Sequence, residues 1–293
     1  MQGNATMTGI VTHNPPVEAL QEFKVEAVGY PAEYGRTMGG FISMTTKSGT
    51  NQYHGVLYEF LRNDAFDARS FFAPSVAPRK YHVFGATLGG PVRRDKTHFF
   101  FSYEGTRRRD GITRTYNVPT PQEVRGDFSA RSGTLLDPTT RQPFPGKIIP
   151  ASRFDPVGAQ LAALFPEPNV AGAASGANNF RRNVVTSNNE TSIIGRVDHV
   201  ISPSDRIMGR WAQFRNRQSR GAATPIEAAD PNAGPDSLDN WNLTVNWLRT
   251  MSPTLFNDMR FTLAWRDAGA PVALETGIAQ QVGLQGADPK GMP

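Results

Sequence analysis

The chain has 293 residues, no cysteine and a formal net charge of +5. That excludes a disulfide framework, a thiolate metal site and a cysteine nucleophile. With 38% hydrophobic residues and a mean hydropathy of −0.43, no stretch approaches the roughly 18 apolar residues of a membrane helix; the longest apolar run is about Leu161–Phe165. The basic residues gather at Arg93–Arg94, Arg107–Arg109 and Arg206–Arg220, beside strand candidates rather than on one continuous face. A nucleic-acid partner is therefore not expected. The 28 glycines and 23 prolines are many for a helical protein and point to strands and turns.

In chain order, Met1–Asn14 is polar and lacks the basic and apolar regions of a signal peptide. Two short strands are expected at Glu22–Val28 and Gly40–Thr46, followed by the turn cluster Lys47–Asn51. Seven longer strands follow, read from period-two alternation. In the first, Val56, Tyr58 and Phe60 alternate with Gly55, Leu57 and Glu59. Tyr81–Val92 is weaker. In His98–Glu104, Phe99, Phe101 and Tyr103 oppose Phe100, Ser102 and Glu104. Ser192–Val200 sets Ile193 and Val197 against Arg196 and Asp198, and Arg206–Arg215 places Ile207, Gly209 and Trp211 together. Trp241–Trp247 is the cleanest: Trp241, Leu243, Val245 and Trp247 on one face, Asn242, Thr244 and Asn246 on the other. In Leu255–Trp265, Met259, Phe261, Leu263 and Trp265 oppose Asp258, Arg260 and Thr262.

The connections alternate in length. Asn63–Lys80, Arg107–Glu190 and Gln218–Asp239 are long; Pro91–Lys96, Ile201–Asp205 and Arg249–Thr254 are short. A soluble sandwich has no reason to keep its long loops at one end, whereas a transmembrane β-barrel has short turns on one side and long loops on the other. The fold class expected is all-β: an antiparallel transmembrane β-barrel segment, incomplete at about seven strands of roughly 9–11 residues each. Within the long insertion, Asp155 caps a short helix that begins at Pro156. A helical turn is expected at Asp64–Phe72 with Asp64 as its cap.

The passage Val25–Thr50, "VEAVGYPAEYGRTMGGFISMTTKSGT", resembles the end of the plug domain of TonB-dependent outer-membrane transporters, where it leads into the first barrel strand. "NQYHGVLYEFLRNDAFDARSFF", "FGATLGGPVRRDKTHFFFSYEGTR", "GDFSA", "FPGKIIPASRFDPVGAQLAALFPEPN" and "RVDHVISPSDRIMGRW" are similar to the Oar-like branch. The resemblance runs from about Leu20 to Trp265. It implies a C-terminal remnant of a plug domain in residues 1–50. Residues 51–293 would be the N-terminal portion of a receptor barrel, with long extracellular loops near 63–80, 107–190 and 218–239. It implies binding and import of a bulky substrate, energised by the TonB complex through a part of the plug that lies outside this chain. The partners implied are outer-membrane lipid and an unknown extracellular substrate. The full-length protein is expected in the outer membrane of a Gram-negative-type cell, and the chain is expected to be a fragment of it, because an open seven-stranded sheet would leave two edges unpaired in lipid.

Several motifs have simpler readings. Arg125-Gly126-Asp127 spells an adhesion tripeptide but falls in the family's "GDFS" passage. His13, His54, His82, His98 and His199 show no metal-site spacing; His54, His82 and His98 lie on neighbouring strands and are read as lumen-facing or interfacial. Gly85, Gly89 and Gly90 before Pro91 are not a phosphate loop, and Gly39-Gly40 has the same reading. Asp198 and His199 point to opposite faces and cannot form a dyad. No catalytic, cofactor-binding or metal-binding residue is assigned, no cofactor is implied, and an enzyme is not expected. Parity makes Glu59, Arg196, Asp198, Asn242, Asn246, Asp258 and Arg260 lumen-facing, with Glu33 and Arg36 of the plug as conceivable partners. The alternative is a secreted or surface all-β binding module, for carbohydrate or adhesion, in which the Trp241–Trp247 apolar face would pack on a second sheet.

Overall fold

The computed structural model describes residues 15–26, 41–69, 71, 76–172, 178–221, 224–226, 235–269 and 278–284. Met1–Asn14, His13, Glu33, Arg36 and Gly39–Gly40 lie outside them. A 3₁₀ turn at Val17–Ala19 leads into β1 (Leu20–Glu26), which pairs antiparallel with β2 (Phe41–Thr46). A separate seven-stranded antiparallel meander follows: β3 (His54–Asn63), β4 (Arg79–Arg93), β5 (Thr97–Tyr116), β6 (Phe180–Ser202), β7 (Asp205–Ser219), β8 (Pro235–Ser252) and β9 (Leu255–Gly269). Each strand pairs only with its sequence neighbours, and the sheet does not close into a barrel. No helix among the described residues is long and apolar enough to cross a membrane.

The all-β, antiparallel fold class is as expected. The strand lengths are not. β5 runs for 20 residues and β6 for 23, about twice the 9–11 residues that cross a bilayer. The long insertion is therefore shorter than Arg107–Glu190, spanning 117–179, and the next loop is 220–234 rather than Gln218–Asp239. The reason is physical: beyond an apolar band a strand meets water on both faces, so it loses the alternation by which strands are recognised while keeping its backbone ladder. The run Arg107–Asp110 is such a stretch.

The two faces of the sheet differ in composition. Along β8 and β9, Trp241 pairs with Trp265, Leu243 with Leu263, Val245 with Phe261 and Trp247 with Met259. On the opposite face Asn242 meets Ala264, Thr244 meets Thr262 and Asn246 meets Arg260. Phe261, Leu263 and Trp265 are 59%, 48% and 49% exposed. No second sheet covers this apolar face among the described residues. We call this the bare face. Trp241 and Trp247 lie six positions apart, about 20 Å along a strand, with an indole near each end of the apolar stretch, as in an aromatic girdle.

The other, covered face carries the buried residues. Ala19 of the N-terminal segment joins Phe100, Ile194 and Ala212, from β5, β6 and β7, in one apolar cluster. Short turns at 94–96, 203–204 and 253–254 close one end of the meander. The first two are each tied to a later strand: Val200 N of β6 donates to Lys96 O (2.7 Å), and Thr250 N of β8 donates to Ser204 O (2.9 Å).

The chain divides into two compact units. The first comprises 1–109, 188–218 and 236–269, and holds the β1–β2 pair with most of the meander. The second comprises 110–187, 219–235 and 270–293. In the second unit α1 (Pro121–Val124) starts with a capping box in which Glu123 N donates to Thr120 Oγ1 and Thr120 N donates to Glu123 Oε2. α2 (Pro156–Ala163) is capped by Asp155, whose Oδ1 accepts from Gly158 N at 2.7 Å, with Pro156 at its first position as expected. In the first unit the turn after β3 is shorter than expected. It is a 3₁₀ turn at Asp64–Phe66 whose cap is Asn63, accepting from Ala65 N, and not Asp64. Asn63 still has extended backbone, so its carboxamide is the one placed to reach the open N–H. α3 (Ile278–Gln281) completes the second unit.

Candidate functional site

The face assignments locate the polar side chains. Arg196 and Asp198 share the covered face with the buried Ile194. Arg196 grips Asp198 through Nε and Nη2, both at 2.8 Å, and its Nη1 donates to Thr46 O of β2 at 2.8 Å. One guanidinium thus joins β6 to the N-terminal pair, using the fork geometry that makes arginine suited to such a junction. Arg210, 7% exposed, donates to Asn242 Oδ1 at 3.0 Å. Asn246 bonds Asp258, and Arg260 lies 3.9 Å from the same carboxylate. Of the residues expected on the lumen side, Arg196, Asp198, Asn242, Asn246, Asp258 and Arg260 therefore share one face.

Glu59 is the exception. Tyr58 pairs with Gly85, and Tyr58 Oη donates to Glu104 Oε2 at 2.7 Å, which puts Tyr58 on the covered face. Glu59 falls beside Leu57 and Leu61 on the bare face and meets His82 Nδ1 at 3.3 Å. Parity failed here because β3 carries apolar residues on both faces, so only the register with β4 decides. The same register separates the histidines. His82 is on the bare face, while His54 pairs with Gly89 on the covered face. His98 Nε2 meets Asn51 Oδ1 at 2.9 Å and His199 Nδ1 meets Thr97 Oγ1 at 2.8 Å. No group of three or more metal-ligating side chains occurs among the described residues.

A cavity of about 530 Å³ lies on the covered face of the first unit, beneath Pro15–Glu18. Its walls are apolar and aromatic: Tyr58 and Phe60 from β3, Tyr81 and Val83 from β4, Phe214 from β7. Glu104 and Thr106 of β5, Glu190 and Ser192 of β6, and Glu18 above supply its polar groups. Glu190 Oε1 accepts from Asn188 Nδ2 (2.8 Å) and Asn216 Nδ2 (3.2 Å). Gly85 leaves the space in which Tyr58 lies: a Cβ there would sit 2.4 Å from Tyr58 Oη and 2.6 Å from Tyr103 O. The sequence reading singled out none of these acidic residues. Extending the β6 alternation upstream of Ser192 would have added Glu190 to the face of Arg196 and Asp198.

The second unit is built differently. Its order comes from side chains that take the place of backbone partners. Asn179, 1% exposed, accepts from Val118 N and donates to Val118 O, both at 2.8 Å. Asn169 does the same for Arg181, with both bonds at 2.7 Å. Asp127 Oδ1 accepts from Ser129 N at 2.9 Å, and the Ser129 bonds, side chain first, hold its carboxyl below the usual range. Asp137 is likewise held low, chiefly by the Thr139 backbone N–H, and pairs with Arg153 Nη2 at 2.9 Å. The Arg125-Gly126-Asp127 tripeptide is folded into this scaffold. Gly126 has φ +89°, its N–H donates to Glu123 O, and its carbonyl accepts from Ile149 N.

Comparison with known proteins points to an outer-membrane barrel. The family described as "Outer membrane beta barrel domain" matches residues 45–293. A stretch of 110 residues, 35% of this chain, is 32% identical to the TonB-dependent transporter Oar of Myxococcus xanthus, of whose length it covers 10%. No solved structure matches.

Proposed function

The chain belongs to the outer membrane β-barrel domain family, which places it in the outer membrane with lipid contact, and from that premise we propose that it is part of a TonB-dependent receptor of the Oar-like kind. Residues 1–50 are the end of a plug and residues 51–293 the first strands of the barrel around it. The bare face, with its Trp and Phe residues, is the lipid side; the covered face is the lumen. The full receptor binds a bulky extracellular substrate, met first by the long loops, and imports it when the TonB complex pulls on the plug. The work is selective binding followed by a mechanical gate, with no catalytic step. Further strands continue the sheet from the β3 and β9 edges, because an unpaired backbone group in hydrocarbon costs several kcal/mol.

One observation carries this reading: the Arg196 fork, bonded to Asp198 and to Thr46 O, holds the N-terminal pair on the polar face of the sheet. A plug held by a few hydrogen bonds and one small apolar cluster, rather than by a deep core, can be released and restored. The test is conductance in a planar bilayer. The receptor at its natural length is expected to be silent, and deletion of everything through Thr46 is expected to open large, steady pores. Silent bilayers from a deleted protein that is shown to be inserted would sink the plug assignment. Recovery of the chain as a monomer without detergent would sink the membrane reading altogether.

A further inference from the structure

We infer that the cavity beneath Pro15–Glu18 is a binding site for a small organic cation, an ammonium group on an apolar stem. This rests on the plugged-receptor reading and adds to it a small-ligand site between plug and wall, separate from the loops that first meet the bulky substrate.

Three carboxylates line the cavity, Glu18, Glu104 and Glu190, and no lysine or arginine does so among the described residues. Glu18 faces Lys47 at 3.7 Å across a partly exposed gap, a separation at which an ion pair contributes little. Glu104 is bonded by the neutral Tyr58 hydroxyl and Glu190 by two neutral amides. These partners orient the carboxylates without cancelling their charge. Ser192 is the independent sign of an occupant. It is 5% exposed, lines the same cavity, and its Oγ has no hydrogen-bond partner. A buried hydroxyl left unsatisfied costs free energy that a bound N–H donor would recover.

The walls select the rest of the ligand. Tyr58, Tyr81 and Phe214 present aromatic surface, which attracts cations by the ring quadrupole and apolar stems by burial. The volume of about 530 Å³ lies in the range of small-molecule sites. Because Glu18 belongs to the N-terminal segment and the other two carboxylates to the wall, an occupant bridges the two. Withdrawal of that segment would remove one carboxylate and weaken the hold on the cation, coupling gate movement to release.

The experiment uses the receptor at its natural length, purified in detergent, and the fluorescent amine dansylcadaverine, with its N-acetylated uncharged form as control. Saturable binding is expected for the amine, with the acetylated form weaker by about tenfold or more, and with affinity falling as salt is raised. The paired change Glu104→Gln with Glu190→Gln is expected to weaken amine binding by about tenfold, and Ser192→Ala by a few-fold, about the weight of one hydrogen bond. Heat-modifiable mobility on gels confirms that each variant is folded. If the pair misfolds, Glu18→Gln, which leaves the wall untouched, is expected to weaken binding about threefold. Equal binding of the amine and its acetylated form, or unchanged binding in folded carboxylate variants, overturns the inference. The conductance experiment separates the two readings. Pores opened by the deletion together with no amine selectivity leave the receptor standing and the cation site refuted. Selective amine binding together with a silent deletion refutes the plug and leaves the site.

Discussion

The sheet of the first unit and the long loop of the second are held together by different means. The sheet relies on a repeated backbone ladder and two chemically opposed faces, so its stability is spread over many equivalent positions. The loop has nine prolines between Arg107 and Glu190, few ladder bonds, and single side chains that close whole segments: Asn179 onto Val118, Asn169 onto Arg181, Asp137 onto its own turn. Distributed order tolerates polar change on one face and not on the other. Concentrated order is lost at single points while the rest of the molecule persists. An outer-membrane barrel can use both, a wall that does not move and loops that can be altered without disturbing it.

The largest expected effect breaks the sheet on its bare face. Leu263→Arg places a charge on the bare face opposite Leu243, and near the bilayer midplane this is expected to cost about 2–4 kcal/mol. The neighbouring Thr262→Arg changes the covered face, where Thr262 meets Thr244 at 3.3 Å, and is expected to cost about 1 kcal/mol or less, the weight of one hydrogen bond. Urea-dependent folding into lipid vesicles measures both. Equal costs would mean that the faces are assigned wrongly.

The loop is expected to fail locally. Asn179→Ala leaves the Val118 N–H and C=O without partners in a buried position, at about 2 kcal/mol. The readout is faster proteolysis between 117 and 179 with an unchanged unfolding transition of the sheet. A smaller change, Asp155→Ala, removes the cap of α2 at about 1 kcal/mol. It is expected to raise amide exchange in Pro156–Ala163 alone.

The contrast also explains what could be read in advance. The faces of β6 to β9 were legible because β8 and β9 alternate a nearly pure apolar set with a nearly pure polar one. β3 was ambiguous because Leu57 and Tyr58 are both large and partly apolar, so a face needs the partner strand to be decided. The upper parts of β5 and β6 were invisible because runs such as Arg107–Asp110 and Arg181–Asn183 are polar at successive positions and leave no periodic trace. Asp155 and Pro156 were legible because a cap is a local event, set by a few consecutive residues. The cavity was not, since Glu18, Glu104, Glu190 and Ser192 come from three separate stretches of chain that only the register brings together.

The smallest expected effect sharpens the contrast through pH. Asp127 and Asp137 are both held below the ordinary carboxylate range, the first mainly by Ser129 and the second mainly by the Thr139 N–H. A carboxyl with a lowered pKa in the folded state binds its proton less readily there than when unfolded. Its stabilisation is complete above the unfolded pKa of about 3.9 and fades as pH falls through the lower folded value. Both groups act within the loop, on turns that include the Asp127–Ile148 bridge and the Leu136–Pro143 bridge. The sheet rests on its ladder and its apolar face, neither of which takes up a proton in this window. Below about pH 4 the loop is therefore expected to become modestly more sensitive to protease while the sheet keeps its strand signal in circular dichroism. Asp137→Asn keeps the side-chain oxygen that accepts from Thr139 but removes the charge facing Arg153. That variant is expected to start with a slightly weaker loop at pH 7 and to show less further loss in acid, and a loop with the same acid response as the parent would mean that Asp137 is not one of the groups whose protonation opens it.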